Sequence, residues 1–287
     1  MRDFTFVRPD TVEEALAFLH AHAGRCMVCA GGTDLMVALR RDDPRLDGKE
    51  YLIDLGALSA FRGVRRDGGT VRIGALTTHD MAAGSPLLPA MLRAAAGSVG
   101  AQQTRNIATV GGNVANAAVA ADTLPPLAAL DARVCLRSHA GERTLPLTAF
   151  ITGAGRTCIL PDELLTAIEF SALDGWESAF AKLGRRRALA ISRMSAAVAL
   201  ELRGGVIASA RIAAGGVFAI PRRSARAERR VIGQTPSAPL FRQAGEEAAR
   251  EMVEITGVRW STEYKLPALA AVVGSALLRA AGMEEDA

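Results

Sequence analysis

The sequence predicts an α+β fold: two small α/β lobes followed by a small antiparallel sheet with helices beside it. Three observations carry that expectation. Helix, strand, glycine turn, short helix and strand alternate over 1–57. A hairpin, an alanine-rich helix and further strands occupy 58–175. From 176 onward, two strand-like runs flank Gly204-Gly205, and two long helical stretches close the chain at 287.

Each element has a local reason. Thr11 and Glu14 have capping-box spacing, and Ala15, Leu16, Phe18 and Leu19 give the first helix an apolar face that Gly24 ends. Residues 26–30 form a short apolar run, read as a buried strand; 35–41 are a short helix and 51–55 another strand. Arg66-Asp67-Gly68-Gly69, between 61–65 and 70–75, signals a hairpin. Residues 89–99 are alanine-rich and helical. In 122–130, Pro125 and Pro126 lie near the start, as suits a helix N-terminus. Residues 132–137 and 163–170 read as strands. Gly204-Gly205 makes a two-residue hairpin turn between 198–203 and 206–213. The helices 240–256 and 265–281 follow a loop marked by Pro236 and Pro239.

Composition excludes several functions. A net charge of +4 and a 22% charged fraction in a 49% hydrophobic chain fit a folded protein. Arginine clusters late, at Arg185, Arg186, Arg187, Arg222, Arg223, Arg226, Arg229 and Arg230. The cluster has no interleaved aromatics, so we read a solvated or partner-facing surface and expect no nucleic-acid partner. Residues 1–10 lack the apolar run of a signal peptide, and 266–278 are too short to span a bilayer. The expected compartment is the cytoplasm. Cys26 and Cys29 form a CxxC, but residues three apart on a strand face opposite ways and cannot share a metal. We expect buried structural thiols and no metal on this chain. His20, His22, His79 and His139 read as surface or helix-end residues, and no GxSxG or HExxH is present. Without an acid–base cluster, hard chemistry falls to a cofactor.

Two glycine turns carry the chemistry. The first, Ala30-Gly31-Gly32-Thr33-Asp34-Leu35, leaves a strand and enters a helix, where bare N–H groups favour phosphate. Asp34 is ill-suited to a phosphate neighbour and is read as a cap for the next helix. Taken alone, the segment fits an ordinary tight turn equally well. In the second, Thr104-Arg105-Asn106-Ile107-Ala108-Thr109-Val110-Gly111-Gly112-Asn113, Thr109 offers a hydroxyl, the glycines bare backbone and Asn113 an amide. The small residues of 114–121 would let a planar ligand approach the backbone. Asp122 reads either as an acceptor for ribose hydroxyls or as a helix cap.

Together, the AGGTDL segment and the stretch TRNIATVGGNVANAAVAADTLPPLAALDA resemble the FAD-binding medium subunit of molybdenum hydroxylases, the xanthine dehydrogenase and carbon monoxide dehydrogenase family. The resemblance spans nearly the whole chain, including 52–55, 71–78 and 179–183. Ser261-Thr262-Glu263-Tyr264-Lys265 also fits, with lysine where arginine is more usual. It implies a vanillyl-alcohol-oxidase-type (PCMH) FAD-binding domain at 1–175, with lobes of about 1–57 and 58–175. A C-terminal domain like that of the CO dehydrogenase flavoprotein would occupy 176–287. By resemblance, Ala30, Gly31, Gly32, Thr33, Asp34 and Leu35 line the pyrophosphate, and Val28 and Cys29 before them also belong to the cofactor site. Thr109, Val110, Gly111, Gly112 and Asn113 line the pyrophosphate and flavin side. Asp122 meets the adenosine part, Leu165 touches the cofactor, and Lys182 sits by the isoalloxazine, where a cation stabilises reduced flavin.

The resemblance also implies partners: a molybdenum-cofactor-bearing large subunit, a small subunit with two-iron two-sulfur clusters, and NAD⁺ or another electron acceptor. The approach 100–106 looks closer to xanthine dehydrogenase subunits than to carbon monoxide dehydrogenase ones. Two alternatives compete. A self-sufficient flavin oxidase of the same fold would need a substrate-activating cluster that the late region lacks. A scaffold that has lost FAD is at odds with two intact glycine loops.

Overall fold

The computed structural model describes residues 3–186 and 189–283; Arg187 of the arginine cluster lies outside them. The capping box forms: Thr11 Oγ1 accepts from the Glu14 N–H at 3.2 Å and Glu14 Oε2 accepts from the Thr11 N–H at 3.4 Å. The helix it opens, Val12–Ala21, buries Ala15, Leu16 and Leu19 against Ile53, Leu55 and Cys26. The sheet beneath is parallel, in the order Thr5–Val7, Tyr51–Asp54, Cys26–Cys29. The first of these strands is only three residues long, too short for a sequence alternation to reveal. Leu76 and Leu164, from the second lobe, complete this core.

The second lobe carries a five-stranded antiparallel sheet in the order Val64–Asp67, Thr70–Gly74, Leu164–Ser171, Arg133–Ser138, Gly141–Pro146. Helices Ala90–Gly97 and Leu124–Ala129 help cover it, with Met91, Leu92 and Leu127 fully buried. Two expectations change here. The approach to the second glycine pair is itself a helix, Gln102–Ile107, and the pair lies in the first turn of another, Val110–Asn116. Neither Gly111 nor Gly112 has a positive φ, so what reads as a turn is a capped helix start.

The third sheet is antiparallel, ordered Trp176–Leu183, Met194–Arg203, Val206–Gly215, Arg222–Arg223. Gly204 and Gly205, at φ 58° and 79°, make the hairpin turn between its central strands. Met194–Arg203 is buried on both faces. Ala196, Val198 and Leu200 face the helices Ala238–Thr256 and Thr262–Ala280, while Ala197 and Ala199 join the second-lobe core. Small residues permit the close approach: a Cβ on Gly215 would fall 2.4 Å from Pro125 Cγ. Most of the described arginines of the cluster are exposed, Arg185, Arg186, Arg222, Arg229 and Arg230, and two half-buried ones are paired. Arg223 pairs with Asp131 at 2.6 Å and Glu228 at 2.7 Å, and Arg226 pairs with Glu254 at 2.6 Å. Among the described residues, no helix is long and apolar enough to cross a membrane.

Candidate functional site

A cleft of about 580 Å³ runs between the two lobes. One wall is the strand end and loop from Val28 to Leu35. The other holds Thr109, Gly111, Gly112 and Asn113 on the helix Val110–Asn116, with Leu165 from the central strand. Of the residues expected at the site, all but Val110, Asp122 and Lys182 line the cleft. Val110 is fully buried in the core.

The four glycines have different tasks. A Cβ on Gly31 would lie 2.1 Å from the Ile107 carbonyl oxygen, so this glycine lets the two loops touch backbone to backbone. Gly111 does likewise against the second-lobe sheet: its Cβ would meet Ala75 O at 2.6 Å, and its N–H donates to that same oxygen at 2.9 Å. Gly32 turns the chain at φ 71°. Two glycines keep space open: a Cβ on Gly32 would meet only Cys29 Sγ at 3.5 Å, and one on Gly112 only Thr109 Oγ1 at 2.8 Å and Ala30 Cβ at 3.9 Å. Thr109 caps the helix by accepting the Gly112 N–H at 3.1 Å.

Several local expectations are corrected. Asp34 does not cap the helix Leu35–Arg40; its own backbone is helical (φ −83°, ψ −39°), so the side chain makes no cap bond and lies exposed on the cleft rim. Cys29 is half-buried on the cleft wall rather than buried, while Cys26 is buried; burial raises both thiols above their ordinary pKa. Asp122 is not a helix cap either: its oxygens accept from Lys182 Nζ and Ser192 Oγ, each at 2.5 Å. Of the small run 114–121, Ala115 and Asn116 line the cleft, while Val114, Ala117 and Ala121 pack into the core.

Other lining residues were not foreseen. Arg45 is the one lysine or arginine among the described lining residues; it pairs with Asp43 at 3.0 Å and donates to Asn116 Oδ1 at 3.3 Å. Glu163 accepts from Arg143 at 2.6 and 2.8 Å and from the Leu160 N–H at 2.8 Å. Burial pushes its carboxyl up, but these donors outweigh that and hold it below its ordinary range. His79 was expected at a surface or helix end. It opens the helix His79–Gly84 yet is only 1% exposed, and burial pushes its pKa down to about 4. No sequence signal marks these residues, because tertiary folding alone brings them to the cleft.

Two interlocked lobes around a large glycine-floored cleft, joined to a sheet-and-helix unit, define a flavoprotein of the two-lobed FAD-binding class. Residues 2–171 match the FAD binding domain in molybdopterin dehydrogenase, and 178–280 match the CO dehydrogenase flavoprotein C-terminal domain. The chain belongs to this family of FAD-binding subunits of molybdenum hydroxylases. It is 34% identical to a nicotinate dehydrogenase FAD-subunit of Eubacterium barkeri over 86% of this chain and 84% of that one. Identity is 30% to a putative xanthine dehydrogenase FAD-binding subunit of Escherichia coli, covering 93% and 92% respectively. In structure it is similar to a chain of carbon monoxide dehydrogenase from Hydrogenophaga pseudoflava, with TM-score 0.87, 28% identity and 98% coverage of both chains.

Proposed function

We propose that this chain is the electron-transfer flavin subunit of a xanthine dehydrogenase-like molybdenum hydroxylase. In this reading, a large subunit bearing the molybdenum cofactor oxidises the organic substrate, and a small subunit with two-iron two-sulfur clusters delivers the electrons. NAD⁺ or another acceptor removes them. The relatives are named as FAD-subunits and medium chains, which supports a place in a larger assembly. The division into 1–175 and 176–287 belongs to the same reading.

The observation that carries it is the open face of Gly112 across from the first loop, which leaves backbone-lined room for a cofactor. Bound FAD supplies a two-electron carrier between one-electron clusters and a two-electron acceptor. The chain's own residues hold it. Ala30 to Leu35 and Thr109 to Asn113 flank the pyrophosphate, with Arg45 as the nearby cation and Leu165 as an apolar contact. Among the described lining residues, the side chains suited to proton transfer are few: Glu163 is engaged by Arg143, and His79 is buried and neutral. That favours electron transfer over a self-sufficient oxidase.

Copurification and flavin content test this. The expected result is a yellow complex with molybdenum- and iron–sulfur-bearing chains, reducing its acceptor only when all are present. A chain that takes up no FAD on reconstitution, or oxidises a small substrate unaided, would overturn it.

A further inference from the structure

Three of the described large apolar side chains stand almost wholly in solvent: Trp260 at 97% exposed, Val258 at 83% and Ile191 at 81%. They share one end of the sheet-and-helix unit. Val258 and Trp260 sit in the short connection between the helices Ala238–Thr256 and Thr262–Ala280. Ile191 is two residues before Arg193, whose guanidinium lies 5.3 Å over the ring of Tyr264, in the first turn of the second helix. None of these residues lines the cleft.

The connection is tied down. The Gly257 N–H donates to the Val253 carbonyl at 2.8 Å and the Thr262 N–H to the Arg259 carbonyl at 2.9 Å. Arg259 donates from its backbone to Thr262 Oγ1 at 2.8 Å and from Nε to the Thr256 carbonyl at 3.2 Å. Lys265 Nζ donates to the Gly216 carbonyl at 3.5 Å. A hydrogen-bonded turn therefore holds a tryptophan in water, where its large ring gains nothing from burial. Clustered exposed apolar side chains mark interaction surfaces. Tryptophan, tyrosine and arginine are the residue types that carry most binding energy in protein interfaces.

The charge around them selects the partner. Over 184–193 and 257–266, the described charged residues are Arg185, Arg186, Arg193, Arg259 and Lys265 against one carboxylate, Glu263. A second copy of this chain would set this basic face against itself across a two-fold axis, where like charges repel. An apolar pocket rimmed by carboxylates complements both features.

We propose that Trp260, with Val258, Ile191 and the Arg193–Tyr264 pair, docks this chain onto an acidic face of a metal-bearing partner subunit. This rests on the reading of the chain as one subunit of a larger assembly.

The test uses the assembled complex, its partner chains identified by their molybdenum or iron, with dissociation followed by sedimentation. Trp260→Ala should weaken the hold on one partner by about thirtyfold or more, the range of an interface hot spot. It should keep wild-type flavin content and melting temperature, because the side chain is exposed. Arg259→Glu should weaken the same contact, and raised salt should bring wild type toward that variant. Hydroxyl-radical footprinting should oxidise Trp260 in the free chain and spare it in the complex. Unchanged assembly of Trp260→Ala, or equal oxidation of Trp260 in the complex, would overturn the proposal alone. Protection of Trp260 that rises with the concentration of the free chain would give this face to a second copy and overturn it too. Wild-type chain that assembles with no metal-bearing partner would overturn the assembly reading as well.

Discussion

Lys182 Nζ lies 2.5 Å from Asp122 Oδ2, with the two side chains only 15% and 9% exposed. Ser192 Oγ donates to the other carboxylate oxygen, and Lys182 also donates to the Ser98 carbonyl at 3.1 Å. The pair fastens the strand Trp176–Leu183 to the second lobe. Lys182 does not line the cleft, and a cation compensated at this distance presents little net charge to its surroundings, so the expected role of an isolated cation beside the isoalloxazine is not supported.

Breaking that pair from one side should therefore cost stability. Lys182→Met strands a buried carboxylate and is expected to destabilise the chain by about 3 kcal/mol; Asp122→Asn should behave alike. The double variant should recover much of the loss, since no uncompensated charge remains. Denaturant unfolding of all four proteins checks this, and strictly additive losses would rule the coupling out.

Gly31→Ala and Gly112→Ala should part company. The first forces a methyl into the Ile107 carbonyl, displacing one lobe against the other, at about 1–3 kcal/mol or more. The second needs only the Thr109 hydroxyl to give, at about 1 kcal/mol for a weakened cap. Gly112→Val should empty the site of FAD with the fold kept. Melting curves beside flavin absorbance separate the two effects; full flavin content in Gly112→Val would refute the loop's role.

Arg45→Ala should weaken FAD by about tenfold or more, the range for a hydrogen bond to a charged group. The effect should fade as salt rises, because Arg45 is partly exposed. Equilibrium titration at two salt concentrations decides it; an unchanged dissociation constant would leave Arg45 as a surface partner of Asp43.

Acid should weaken the apo-protein through His79. Its folded pKa, about 4, lies below the ordinary 6.5, so the unfolded chain binds more protons between those values. The contribution of neutral His79 is intact above pH 6.5. It falls away as pH drops toward 4, by about 3 kcal/mol in all. Denaturant unfolding across this range should show a flatter profile for His79→Leu than for wild type. Parallel curves would count against a buried neutral imidazole.

Sequence by itself determined most of the elements and the cofactor class, though not the three-residue first strand or the helices around the second glycine pair. The Thr11–Glu14 capping box, the Gly204-Gly205 hairpin and the late helices are local devices, legible because their causes lie within a few residues. The glycine pairs, in order, mark the family. What each glycine does was decided only in three dimensions. Gly31 answers to Ile107 and Gly111 to Ala75, contacts between segments far apart in the chain, while Gly32 and Gly112 border open space. The same holds for Asp122, whose partner Lys182 lies sixty residues on, and for Arg45 and His79, which no motif announces. Pairing and burial depend on which distant surfaces meet, and local spacing does not encode that.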